Sequence, residues 1–167
     1  MFRKVEDFTT QFETEYQGTL KVLRALTDAS LAQPVSPGGR TLGRLAWHIA
    51  QSQPEMGERL GLAFPGPAPE GAPVPASAAE IARRYEQTAT ALLEQVRAGW
   101  TDEKLLETSD MYGEQWANGL SLEILIRHEA HHRGQMTVLM RQAGLTVPGV
   151  YGPAREEWAV YGMPAQE

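Results

Sequence analysis

Three of the four histidines of this 167-residue chain fall within five positions, in the run His128-Glu129-Ala130-His131-His132. On a helix each residue advances by about 100°, so His128 and His132 lie about 40° apart on one face, one turn along the axis. Two imidazoles placed this way can bind one metal ion. The neighbours indicate which histidines point inward. Leu125, Met136, Leu139 and Ala143 form an apolar stripe, and Glu123, Arg127 and Arg141 lie largely opposite. His132 falls near the centre of that stripe, His128 on its flank and His131 beyond it, which selects His128 and His132 as ligands and leaves out His131. The competing reading is a long amphipathic helix with ordinary polar residues. His48, the only histidine outside the cluster, is the natural third nitrogen donor; its own alternative is a hydrogen-bonded core histidine.

The same run matches His-Glu-x-x-His, which in zinc metalloproteases supplies two ligands and a glutamate general base. Glu156 could then be offered as a third ligand, although nothing in the chain reads as a sheet edge on which a peptide would lie. Glu129 falls on the other shoulder of the stripe. It is the predicted proton-transfer residue, its carboxyl raised by burial, and an ion pair with Arg133 at i+4 is the structural alternative. Arg133 and Gln135 sit on opposite flanks of the metal face and are given structural roles. In the C-terminal tail, Tyr151 and Arg155, with Glu156 and Trp158 nearby, are predicted to fold over the open end of the site and bind substrate.

Four long helices are needed to position these groups. From Phe2 to Leu26, Phe8, Phe12, Tyr16, Leu20 and Leu23 recur at helical spacing, with Gly18 a weak point, and a short helical turn can start at Asp28. Thr41 reads as the N-cap of a second helix lined by Leu42, Leu45, Ile49, Met56 and Leu60, where Pro54 predicts a kink or an end near Gln53. Gly61 to Ala76, rich in proline and glycine, is read as an extended crossover. At about 3.1 Å per residue it reaches roughly 50 Å, enough to let the third helix run parallel to the second. Ser77 and Glu80 form a capping-box pattern opening the third helix, with Ile81, Tyr85, Leu92 and Val96 inward and Gly99 at its end. A helical turn from Asp102 to Leu106 precedes an irregular stretch holding Met111, Tyr112 and Trp116, with no segment read as a strand. The fourth helix starts near Ser121 and stops at Gly144. The expectation is a single all-α domain over residues 1–167, with a long Pro/Gly-rich crossover between the second and third helices.

Composition narrows the chemistry. Fifteen Lys+Arg against 21 Asp+Glu give a net charge of −6 and no dense basic run, so nucleic acid is excluded as a partner. There is no cysteine, hence no disulfide, no thiolate ligand and no cysteine nucleophile; any thiol used must come from a small molecule. The absence of a signal peptide and of a spanning apolar run predicts a soluble, cytoplasmic protein with no membrane partner. Trp47, opposite the stripe of its helix, predicts a homodimer surface.

The segments Thr41 to Ala50, His128 to Gln135 and Gly144 to Gly152 resemble the DinB-like (YfiT-like) family in order and spacing through most of the chain. The resemblance implies an up-down-down-up four-helix bundle, commonly dimeric, with a divalent metal held by three histidines. Carried over, those are His48, His128 and His132. It also implies a thiol-dependent S-transferase that uses a low-molecular-weight thiol of the bacillithiol or mycothiol type on a small electrophile. The alternatives are a metal-dependent hydrolase of a small substrate and a non-catalytic metal- or small-molecule-binding protein. Histidine nitrogen suits Zn, Ni, Cu and Fe alike, so the residues do not fix the metal; Zn or Ni is the expected ion, with Fe or Mn also admissible.

Overall fold

A computed structural model describes residues 1–64 and 72–165. The order of elements is α1 (Val5–Arg24), a 3-10 turn (Asp28–Ala32), α2 (Leu42–Arg59), α3 (Ala78–Gly99), α4 (Asp102–Leu106), β1 (Thr108–Met111), β2 (Glu114–Ala117), α5 (Asn118–Gln142) and a second 3-10 turn (Arg155–Tyr161). The chain is mostly helical, with five α-helices and one small sheet among the described residues. Each of α1 and α2 packs against both α3 and α5. Phe8, Phe12, Leu20 and Leu23 of α1 meet Leu45 and Ile49 of α2, Ile81 and Leu92 of α3, and Leu122 and Met136 of α5 in one apolar core. No described helix is long and apolar enough to cross a membrane.

The helix ends follow local chemistry. Thr41 Oγ1 accepts from the Arg44 amide at 3.1 Å and opens α2. Ser77 Oγ accepts from the Glu80 amide at 3.4 Å, but Glu80 turns its carboxylate to Arg83 and Arg84 at 2.6 and 2.8 Å, so only half of the capping box forms. α1 has no local side-chain cap; Asp102 of α4 accepts from the Val5 amide at 2.9 Å instead. A Cβ at Gly18 would stand 2.8 Å from Val150 Cγ1, so any larger residue there must push the Val150 side chain aside.

Several expectations change. α2 continues through Pro54 to Arg59 rather than ending at Gln53, because tertiary packing of Met56 and Leu60 outweighs one lost backbone hydrogen bond. α5 starts at Asn118, before Ser121, and the Asn118 side chain bridges Ser109 and the Lys104 carbonyl. The all-α reading is corrected by the antiparallel pair β1–β2, whose register places Met111 opposite Glu114. Its two-residue turn is Tyr112-Gly113, with φ of 60° and 88°, the left-handed pair a tight hairpin needs. Trp47 is 4 % exposed, so it packs inside its own chain and gives no support to a dimer surface. Pro65 to Gly71, the middle of the proposed crossover, lie outside the described residues; the flanking residues 61–64 and 72–76 are non-helical, as expected.

Candidate metal centre

α2 and α5 pack face to face, and this contact brings His48 against the pair from α5. Nε2 of His128 lies 3.2 Å from Nε2 of His48 and 3.1 Å from Nε2 of His132. The rings stand nearly edge to face, with centroids 4.5 to 4.9 Å apart. One nitrogen from each of the three lies within 4.8 Å of the others, so the three can hold a metal ion. A divalent ion about 2.0–2.1 Å from each nitrogen sets neighbours about 2.9 Å apart at right angles and about 3.3 Å apart at the tetrahedral angle. The 3.1 and 3.2 Å separations fall between these limits.

The surroundings keep the three rings in their uncharged form. Burial holds His48 and His128 down to about 4, helped by His132 and by the Arg40 guanidinium, and burial lowers His132 as well. The rings are therefore neutral at pH 7, the form that ligates. Gln135, one turn beyond His132, accepts from its Nδ1 at 2.7 Å, which leaves the Nε2 lone pair free to point at the cluster. Among the described residues, Nδ1 of His128 is buried without a hydrogen-bond partner.

The other predicted residues separate. His131 is exposed and outside the converging set, as expected. Glu156 pairs with Arg141, away from the histidines, and does not join them. Glu129 is 2 % exposed and lies at the middle of the buried face of α5, not on its shoulder. Its carboxylate accepts from Thr19 Oγ1 at 2.7 Å, Tyr85 OH at 2.6 Å and Gln53 Nε2 at 3.1 Å. Burial raises its carboxyl while these donors pull it down. The expected pairing of Glu129 with Arg133 is replaced: Arg133 is buried and bonds Glu15 and Thr19 of α1 at 2.8 Å each. The α5 face was misplaced because two charged residues occupy positions that a hydrophobic stripe leaves to apolar ones.

Tyr151 bonds Glu15 at 2.7 Å and also bonds Arg133, whose guanidinium lies 4.9 Å from its ring centre. Arg155 is exposed in the last 3-10 turn. Neither lines the cavity of about 280 Å³ that adjoins His48 and His128. That cavity is walled by Ser52, Glu55 and Met56 of α2, Ile124 of α5, and Tyr112 and Trp116 of the hairpin. Tyr112 and Trp116 were not placed from the sequence because a Tyr-Gly turn lacks the Asn or Asp that usually announces a two-residue hairpin.

Known proteins resemble this chain over nearly its whole length. The chain is 47 % identical over 165 residues to the uncharacterized protein YrdA of Bacillus subtilis (strain 168), covering 99 % of this chain and 98 % of that protein. It superposes on the crystal structure of a DinB-like protein from Bacillus cereus ATCC 10987 with a TM-score of 0.87 and 47 % identity, over 90 % of this chain and all (100 %) of that one. A DinB-like protein of Bacillus subtilis, YjoA, shares the fold with a TM-score of 0.68 at 21 % identity, over 86 % of this chain and 96 % of that one. With a match to the DinB family over residues 1–167, the chain belongs to the DinB family.

Proposed function

We propose that this protein is a divalent-metal-dependent enzyme in which His48, His128 and His132 hold the ion and a low-molecular-weight thiol is transferred to a small electrophile. The observation that carries the reading is the convergence of three neutral imidazole nitrogens beside an accessible cavity. A divalent ion held by these residues, Zn or Ni in this proposal, would supply the charge that favours the thiolate form of a bound thiol. In the proposed transfer a C–S bond forms as the leaving group departs from the electrophilic carbon, and the thiol proton is released to solvent. The protein's own groups bind and orient. Gln135 fixes the His132 ring, and the hairpin shields the cavity side of the histidines. The lack of cysteine accords with an external thiol.

Glu129 is placed to anchor the helices rather than to move a proton at the metal, since three donors engage its carboxylate. This weighs against the metalloprotease reading, which needs that carboxylate free as a base. Substrate contacts from Tyr151 and Arg155 find no support in the cavity beside the histidines, which neither residue lines.

Contacts between the helices support the remaining parts of the reading, a single domain of four long helices running up, down, down and up. Arg24 with Glu86 and Arg97 with Glu13 pair opposite ends of α1 and α3. Gln53 with Thr88 and Ala63 with Gln95 pair corresponding ends of α2 and α3. A cytoplasmic location and a homodimer belong to the proposal as well, and the surface Trp47 was expected to provide is not one of their supports.

The direct assay is conjugation of 1-chloro-2,4-dinitrobenzene with a small thiol by metal-loaded and chelated protein. A rate that needs both thiol and metal is expected. A rate indifferent to both would sink the transferase reading.

A further inference from the structure

The β1–β2 hairpin has no counterpart in the helical scaffold that holds the histidines, yet it closes one side of their cavity. It is fixed there by specific contacts. Tyr112 OH donates to Glu55 Oε1 at 3.0 Å, and the Arg59 guanidinium lies 4.5 Å from the centre of the Tyr112 ring. The Trp116 indole N–H donates to Glu114 at 2.8 Å, so what this side chain offers the cavity is its carbon surface. Met56 and Ile124 add apolar surface from α2 and α5, and His48 and His128 close the opposite side.

Size and charge limit what fits. An apolar cavity of about 150 Å³ suffices for benzene, and this one, at about 280 Å³, has room for a ring plus a short polar head reaching the histidines. The one ionisable carboxylate lining it, Glu55, disfavours an anionic group beside it. Ser52 Oγ donates to the His48 carbonyl at 2.7 Å and so meets a ligand as an acceptor.

We infer that this cavity binds the apolar half of the substrate, a single uncharged aromatic ring or an alkyl group of that size, with Met56, Trp116 and Ile124 as its specificity-determining contacts. The inference rests on the metal-centre reading above for the placement of the polar half at the histidines.

The test compares benzohydroxamate with acetohydroxamate, two metal-chelating probes that differ in ring against methyl, by calorimetric titration of metal-loaded protein. Wild type should bind benzohydroxamate at least about tenfold more tightly, from the extra apolar area buried. Trp116→Ala and Ile124→Asn should each cut the ratio below about threefold, with metal content unchanged. Equal affinity of wild type for the two probes would overturn the inference. If the protein takes up no metal, the metal-centre reading fails and the cavity is tested alone, by titrating metal-free protein with benzyl alcohol and following the Trp116 indole N–H in NMR spectra. A saturable shift that Ile124→Asn abolishes sustains the cavity as an aromatic site, and no shift removes it.

Discussion

Gln135 reaches back one helical turn to accept from Nδ1 of His132, and this single contact decides which nitrogen of that ring is available to a metal. Outer contacts of this kind typically change metal affinity by about 10- to 100-fold when removed. Gln135→Ala is therefore expected to weaken metal binding by about that factor without unfolding the protein, because Gln135 is exposed. Competition with a chromophoric chelator measures it, and unchanged affinity would show that His132 is oriented by packing alone. The histidines also set a pH dependence. In the folded, metal-free chain burial keeps His48 and His128 neutral down to about 4, whereas unfolded histidine titrates near about 6.5. Between those values the unfolded state binds more protons, so stability is full above about pH 6.5 and falls as pH drops toward 4. Thermal unfolding of chelated protein should show this decline, and His48→Gln should flatten it.

At the scale of elements, α5 is held to α1 by a buried polar network rather than by an apolar seam alone. Arg133 bonds Glu15 and Thr19, Thr19 bonds Glu129, and Tyr151 closes the set from the tail. Truncating one partner of a buried pair leaves the other charge uncompensated. Arg133→Met should destabilise the fold by about 3–5 kcal/mol, and Arg133→Met with Glu15→Leu should recover much of that loss. Urea denaturation of the two variants checks the order. A single variant as stable as wild type would mean that solvent reaches Glu15. The hairpin is the other element with a distinct task, since its turn carries Tyr112 and Trp116 to the cavity beside α2.

Over the whole molecule, the helices and the His128/His132 pair were legible in the sequence because both depend on local periodicity, whereas His48 was reached as the one histidine left over and through the family resemblance. The i, i+4 spacing of His128 and His132 survives any small error in helix ends. What was not legible came from long-range pairing. Asp102 caps α1 from a distant element. Glu129 and Arg133 are buried because partners on α1, α2 and α3 meet them, and an amphipathic reading of α5 alone assigns such residues to its margins. The hairpin escaped because its strands are four residues each and its turn begins with tyrosine. Trp47 was misplaced because its helix is buried nearly all round, where one apolar stripe gives no outer face to infer. The central claim is that His48, His128 and His132 together hold one divalent ion. Elemental mass spectrometry of untagged protein tests it most directly. The account predicts about one metal per chain in wild type, His131→Ala and Glu156→Ala, and loss of metal in His48→Ala. Wild type that stays metal-free after reconstitution, or metal that survives His48→Ala, would contradict it.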